Sequence, residues 1–327
     1  MTSGARRFWL KAGVSGALLA LLFTLLPWDQ VRAAASRLSA GVWLGTLALF
    51  LAGHVLGALK WRTLVNACLA RLRLTTAIRA YFAGLFANLY LPSIVGGDVL
   101  RGAMIGRETG RPEAAVLGGI ADRVLDIATM GILIGIGALL SRDALPGWGA
   151  QAVTVLLVVG AVAGALFLPL ALRRPLAKWP KRVRRPVGRS LVALRRLSRS
   201  PRSAAAALVL SLAIQSLFVV LNAWIGRDVG IALPLSVWFL VWPLAKVAGL
   251  MPISLGGIAV RDAALAGLLV PFGVPPAVGA VAGLLWQTIN MAGGLVGGVV
   301  WWAMAQRGAR GAITDARAAR AALTPTR

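Results

Sequence analysis

A short pattern that combines proline, paired glycines and arginine occurs twice in the chain. The first copy spans residues 92–101 (PSIVGGDVLR) and the second spans residues 252–261 (PISLGGIAVR), so both read P-x-x-x-G-G-x-x-x-R. Proline stops a helix, paired glycines permit a tight turn, and a new half-helix then begins with free N–H groups at its positive end. Arg101 and Arg261 follow one turn later, and a guanidinium offers two parallel hydrogen bonds to phosphate or carboxylate. The repeat predicts an anion site formed by these arginines and by four glycines, Gly96, Gly97, Gly256 and Gly257.

Two further polar residues lie close to the copies in sequence. Asn88 precedes the first copy and Lys246 precedes the second, so both are predicted to line the same cavity and contact the ligand. The competing interpretation is structural: the glycine turns let helices pack closely, and the arginines pair with nearby acids or extend towards the membrane surface. The residues alone leave both interpretations open.

Acidic residues recur in the same apolar surroundings. Asp122 and Asp126 are four residues apart and therefore share a helix face, with Arg123 displaced by about 100°. Charges at membrane depth mark a substrate, ion or proton route, or else form a structural ion-pair network with the cations named above. Asp98 is predicted to cap the first half-helix, and Asp262 is predicted to pair with a cation. Together these five residues would balance the cations or couple transport to an ion.

The inventory of nucleophiles and metal ligands is small. The chain has one cysteine, Cys68, and one histidine, His54, which excludes a disulfide framework and a multi-cysteine or multi-histidine metal site. It contains no Walker-type nucleotide loop, no nucleophile elbow and no cysteine redox pair. We therefore expect no enzyme activity, no cofactor and no metal. His54 is predicted to be a packed, hydrogen-bonded histidine, with proton coupling as the alternative.

The elements that position these residues are membrane helices. The 327 residues are 58% hydrophobic and 14% charged, with a mean hydropathy of +0.79, which is typical of a membrane protein. Two apolar segments, 77–107 and 237–270, are interrupted by proline and glycine and are predicted to be re-entrant or broken helices. The predicted fold is an all-α polytopic membrane protein. In addition to these two segments it has six full spans, near residues 10–28, 40–59, 112–140, 150–172, 203–225 and 277–304.

The distribution of basic residues predicts the orientation. With both termini cytoplasmic, 28 of the 35 lysines and arginines, including Lys60 and the others up to Arg111, fall in cytoplasmic segments and 4 in outer loops. This orientation requires that segment 77–107 enter and leave the membrane on the cytoplasmic side and that segment 237–270 do so on the outer side. The two segments then form an inverted-topology pair. Twelve bases and no acid lie in 173–202, which predicts contact with the anionic inner leaflet of the cytoplasmic membrane rather than with nucleic acid.

The predicted organisation is a single transmembrane domain. It extends over 1–305, with an N-terminal half to about residue 140, the basic cytoplasmic loop 173–202, and a C-terminal half from 203. Residues 306–327 are predicted to be a disordered basic cytoplasmic tail.

The ordered motifs resemble a known family. They resemble the flippase-like transmembrane region of lysylphosphatidylglycerol synthases. The motifs that carry the resemblance are Asn88 to Pro92, the first glycine pair with Asp98 and Arg101, residues 122–126, and Pro252 with the second glycine pair. The resemblance covers about residues 8–305 and implies a lipid flippase-like fold with pseudo-symmetric re-entrant helices. Family members often carry Glu where this chain has Asp122, and Gly and Glu near the second copy where it has Ala259 and Asp262. The bifunctional members add a soluble aminoacyl-transfer domain; we expect a stand-alone member without synthase activity.

These observations predict a transporter of phospholipids or other phosphate-bearing lipids, including aminoacylated ones, that works by alternating access. Two alternatives belong to other classes. One is a non-transporting membrane scaffold that recruits a lipid-synthesis or cell-envelope enzyme through 173–202. The other is a membrane-embedded transferase acting on a polyprenyl phosphate, with an aspartate as base.

Overall fold

The computed structural model describes residues 36–68, 71–90, 96–141, 195–250 and 258–323, with single positions between 29 and 33 and between 188 and 192. These residues form helices and no strands, which confirms the all-α prediction for this part of the chain. In chain order the helices are α1 (Ala40–Ala67), α2 (Leu74–Tyr90), α3 (Gly96–Thr109), α4 (Pro112–Leu140), α5 (Pro201–Asp228), α6 (Leu235–Ala248), α7 (Ile258–Leu269) and α8 (Pro276–Leu323), with a 3₁₀ turn at Val270–Phe272.

Four of these helices are long and apolar enough to cross a membrane: α1, α4, α5 and the part of α8 up to Gln306. They correspond to four of the six predicted spans, while the predicted spans 10–28 and 150–172 lie outside the described residues. Their starts follow from local chemistry. The Ser39 side chain accepts a hydrogen bond from the Val42 N–H and caps α1, whereas α4 and α5 begin with a proline, whose missing N–H costs nothing there.

Helices α1 and α5 run antiparallel, which defines two ends of the bundle. At one end the Ser39 N–H donates to the Asp228 carboxylate over 2.7 Å, and at the other Arg196 donates to the Cys68 carbonyl over 3.2 Å. The second end is called the basic face. Three described bases lie at the first end, Arg32, Arg37 and Arg227, and ten lie at the basic face, Arg62, Arg71, Arg73, Arg79, Arg107, Arg111, Arg195, Arg196, Arg199 and Arg202.

Helices α2 and α3 form an antiparallel hairpin with its open end at the basic face. There Glu108 accepts hydrogen bonds from Thr76 over 2.5 Å and from Arg79 over 2.9 Å. At the other end the Asn88 amide oxygen accepts the N–H of Gly97 over 2.9 Å. With 17 and 14 residues, the helices are about 25 Å and 21 Å long, shorter than a hydrocarbon core of about 30 Å.

Helices α6 and α7 pack together as a second pair near the opposite end. Helix α6 begins shortly after the end of α5, and Phe272, just beyond α7, packs against a cluster formed by Leu240 of α6 with Ile134 and Ala138 of α4. Both interrupted segments predicted from the sequence are therefore two helices each. The connections 91–95 and 251–257, which contain the prolines of the repeated pattern, lie outside the described residues.

Helix α8 continues to Leu323. The sequence predicts a disordered tail from residue 306, and the backbone differs from this prediction over 306–323. Residues 307–323 are rich in alanine and arginine, both strong helix formers, which accounts for the continuation.

Glycine permits a close approach between α4 and α6. A Cβ atom added to Gly137 would collide with the backbone of Phe239 and Leu240, whereas one added to Gly131 of the same helix would meet open space. We expect Gly137→Ala to lower the free energy of unfolding by about 1–3 kcal/mol, since the backbones must separate. Gly131→Ala, the matched control, should be neutral or stabilise by up to about 1 kcal/mol. Equal effects of the two variants on unfolding in detergent would contradict this contact.

Candidate functional site

A cluster of charged side chains lies where α1, α3 and α4 pack together, and its Arg123 is exposed at the edge. It contains three cations and three carboxylates and is called the main cluster. Its members are Lys60, Asp98, Arg101, Asp122, Arg123 and Asp126.

Lys60 lies at the centre of the main cluster. Its ammonium is 2.9 Å from an oxygen of Asp122 and 2.5 Å from one of Asp126, and the residue is only 3% exposed. The two carboxylates share one face of α4, as their spacing predicts. The assignment of Lys60 to a cytoplasmic loop is wrong, because α1 continues to Ala67 and carries Lys60 two turns inside its end.

Arg101 links α3 to α4. Its guanidinium lies 3.1 Å from Asp122 and 2.9 Å from Asp98, and its carbon lies 4.8 Å from the ring centre of Trp61 and 5.1 Å from that of Tyr81. Arg101 is buried, so, like Lys60, it does not lie in a cytoplasmic loop. With Lys60 and Arg101 removed, 26 bases remain in the segments predicted to be cytoplasmic, and the asymmetry against 4 persists.

Asp98 bridges two arginines. One carboxylate oxygen contacts Arg101, and the other accepts hydrogen bonds from Nε and a terminal nitrogen of Arg123 over 2.9 and 2.6 Å. Asp98 was predicted to be the N-cap of α3, but the helix begins at Gly96, so Asp98 lies within its first turn. A carboxylate is favourable there because the positive end of the helix dipole is close.

Asn88 and Gly97 contact each other at the tip of the first hairpin. The Asn88 oxygen satisfies the N–H of Gly97, one of the N–H groups that α3 cannot satisfy internally. Gly97 also lies so close to Gly84 of α2 that a Cβ atom would collide with the Gly84 carbonyl. Gly97 therefore permits close packing of α2 against α3, and Asn88 satisfies the start of α3. Gly96 begins the helix, whereas Gly256 and Gly257 lie outside the described residues.

Arg261 and Asp262 form a second cluster, on α7. Nε and a terminal nitrogen of Arg261 donate to one oxygen of Asp262 over 2.8 and 2.7 Å, and the same terminal nitrogen donates to Gln287 of α8 over 3.2 Å. The guanidinium carbon lies 5.6 Å from the ring centre of Trp242. Asp262 is 3% exposed, and its predicted pairing with a cation is present.

Lys246 of α6 lies between the two clusters. Its ammonium donates to the Gln215 amide oxygen over 2.7 Å and lies 5.6 Å from the ring centre of Phe218. It is close enough to interact electrostatically with both Asp126 and Arg261. Among the described residues no carboxylate lies within 4 Å of it.

Helix α5 connects Lys246 to the main cluster. Ser211 donates to Asp126 over 2.8 Å, and Gln215, one turn later on the same face, accepts from Lys246. Ser211 was not predicted, because nothing in the sequence separates it from the other small residues of α5. Gln215 and Gln287 accept hydrogen bonds from residues of other helices, whereas Asn222 and Asn290 donate to carbonyls of their own helices.

The family model of the lysylphosphatidylglycerol synthase transmembrane region matches residues 8–298. The chain belongs to this family. Membership confirms the resemblance predicted from the repeated pattern and the acids of α4, and it places the protein among membrane proteins involved in lipid handling. Comparison with curated proteins and with solved structures finds no significant match.

In this member of the lysylphosphatidylglycerol synthase transmembrane family, buried donors surround both arginines. Each arginine lies against a tryptophan, Trp61 or Trp242, whose indole N–H is buried and lacks a hydrogen-bond acceptor among the described residues. The same holds for Nε of Arg101. Buried donors usually have partners, so these three groups are unusual among the described residues.

His54 lies among aromatic rings, one of which, Phe218, also faces Lys246. Its ring centre is 4.4 Å from that of Phe50, 5.9 Å from Tyr81 and 5.5 Å from Phe218. The packed position was predicted, but the predicted hydrogen bond is not present at Nδ1, which is buried without a partner among the described residues.

Proposed function

We propose that the protein is a lipid transporter that moves a phosphate-bearing lipid across the cytoplasmic membrane, with the headgroup bound between the main cluster and the Arg261–Asp262 pair. One observation carries this proposal. Five described cations lie at membrane depth, namely Lys60, Arg101, Arg123, Lys246 and Arg261, against four carboxylates, Asp98, Asp122, Asp126 and Asp262. The excess charge resides at Lys246, the one of the five that has no carboxylate within 4 Å in the described part of the chain.

An anionic headgroup would supply the missing negative charge. A half-buried cation without a carboxylate partner is costly at membrane depth, so a phosphate bound at Lys246 is favoured by the charge that the protein lacks. The indole N–H groups of Trp242 and Trp61 would donate hydrogen bonds to further phosphate oxygens. In this proposal the main cluster is not the principal ligand contact, since its three cations already face three carboxylates. Its role is to hold α1, α3 and α4 in register, and Arg101 contributes its unpartnered Nε.

The two hairpins support alternating access. The open end of the first lies at the basic face, and the second packs near the opposite end. Both place an arginine near the start of their second helix, Arg101 in α3 and Arg261 in α7. We infer an inverted-topology pair of re-entrant hairpins, with the basic face cytoplasmic because arginines accumulate there.

Reconstitution tests this function. The full chain is incorporated into liposomes that carry fluorescent phosphatidylglycerol, lysylphosphatidylglycerol or phosphatidylcholine in the inner and outer leaflets, and translocation is followed by chemical quenching of the outer leaflet. We expect faster movement of at least one of the first two lipids than in protein-free liposomes, with phosphatidylcholine slower. Rates equal to those of protein-free liposomes for all three lipids, with and without a membrane potential, would refute the proposal.

A further inference from the structure

A cavity lies at the basic face, away from the clusters. It has a volume of about 860 Å³ and lies between the end of α1, residues 71–73 before α2, and the turn between α3 and α4. Polar and charged side chains line it: Asn66, Arg71, Arg73, Glu108, Thr109 and Arg111. Along α3, Glu108 is seven residues from Arg101, which corresponds to about 10 Å. The cavity is therefore separate from the main cluster but on the same helix.

The acceptors of this cavity are already used. The two oxygens of Glu108 accept from Thr76 and Arg79, and the Asn66 oxygen accepts the N–H of Leu72 over 2.8 Å. The Thr109 hydroxyl donates to the Ile105 carbonyl within α3. These contacts fix the walls of the cavity and leave it poor in free acceptors.

The donors, by contrast, remain available. Arg71 and Arg73 have no carboxylate within 4 Å among the described residues, and the Asn66 amide nitrogen has no hydrogen-bond acceptor there. Counting Arg111 and Glu108, the lining carries three positive charges and one negative charge. Guanidinium groups that line a cavity poor in free acceptors can bind phosphate through charge-assisted hydrogen bonds.

The surroundings favour a lipid over a soluble anion. The cavity lies where four helices end or begin at the basic face, at the level expected for headgroups. Two apolar side chains close to it in sequence are exposed, Leu74 by 40% and Val116 by 41%. Acyl chains can lie along such side chains while the headgroup enters the cavity.

We propose that this cavity binds the phosphate of an anionic membrane lipid through Arg71 and Arg73. The site anchors a lipid at the surface of the leaflet that the basic face contacts. It does not depend on transport, and its ligand is not the one bound at Lys246.

The test counts lipids bound to the full chain in non-ionic detergent by native mass spectrometry during titration with phosphatidylglycerol. All variants carry Lys246→Gln, so that binding between the clusters contributes little. We expect Arg71→Gln with Arg73→Gln to weaken one phosphatidylglycerol-binding event by at least about tenfold, because two charge-assisted contacts are lost. The matched control, Arg199→Gln with Arg202→Gln, removes the same charge from the basic face outside the cavity and should change that event less than about twofold.

Three results would overturn the proposal. Equal weakening by the two double variants would mean general attraction to the basic face. Unchanged binding in Arg71→Gln with Arg73→Gln, with thermal unfolding showing a folded protein, would exclude the cavity. Competition by inorganic phosphate as effective as that of phosphatidylglycerol would identify a site for a soluble anion instead of a lipid.

Discussion

Replacing Lys60 by methionine is expected to lower the free energy of unfolding by about 3–5 kcal/mol. The side chain is 3% exposed and its ammonium contacts Asp122 and Asp126. Methionine fills a similar volume but leaves Asp126, whose side chain is 22% exposed, without a cation within 4 Å, and a largely buried carboxylate that loses its partner is costly in a protein interior. Unfolding of the purified protein in mixed micelles, followed by tryptophan fluorescence, measures the loss.

Two further variants separate charge from volume. Lys60→Arg keeps the charge and should lose less stability than Lys60→Met. The double variant Lys60→Met with Asp126→Asn removes one cation and one carboxylate, leaving Arg101 and Arg123 against Asp98 and Asp122, so it should recover part of the loss. A loss below about 1 kcal/mol in Lys60→Met, or a double variant less stable than the single one, would show that the pair is not the stabilising contact.

The position of Lys60 illustrates what hydropathy alone misses. The hydropathy averaged over a sliding window falls at Lys60, because a charged residue lowers the average. The predicted span therefore ends at residue 59. The helical stripe nevertheless continues: Trp61, Leu64 and Val65 are all buried against α4 and its neighbours. The periodicity of apolar residues after Lys60 is therefore the signal that could have placed it inside the membrane.

The repeated pattern was predictable from the sequence, but the partners of its residues were not. Spacing on one helix predicts that Asp122 and Asp126 share a face, because the helix period is fixed. Which cation faces them depends on how α1 packs against α4, and no local rule determines that packing. The same reason explains why Lys246 could be placed near the site while its contact with Gln215, on another helix, could not.

The charge balance also separates the two halves of the site. The main cluster is neutral, with three cations and three carboxylates, and the Arg261–Asp262 pair is neutral as well. Neutral ion-pair networks hold helices together without attracting a further charge. The site for an anion must therefore be sought where the balance fails, and in the described residues this is at Lys246.

Replacing Lys246 by glutamine is expected to reduce transport of anionic lipids by at least about tenfold while leaving the free energy of unfolding within about 1 kcal/mol of the original protein. No described carboxylate depends on Lys246 within 4 Å, and glutamine can still bond to Gln215, so the substitution removes charge without creating an unpaired acid. Lys246→Gln is thus expected to lose transport and keep its stability, whereas the expected effect of Lys60→Met is a loss of stability.

Labelled lipids in proteoliposomes measure the effect of Lys246→Gln, and Lys246→Arg is the matched control. Because arginine keeps the positive charge, it should retain more transport than glutamine. The reduction should be larger for phosphatidylglycerol than for a zwitterionic lipid, since only the former brings the net negative charge that balances Lys246. If transport of both lipids falls equally, Lys246 shapes the pathway and does not select charge. If transport is unchanged in Lys246→Gln, the headgroup site lies elsewhere.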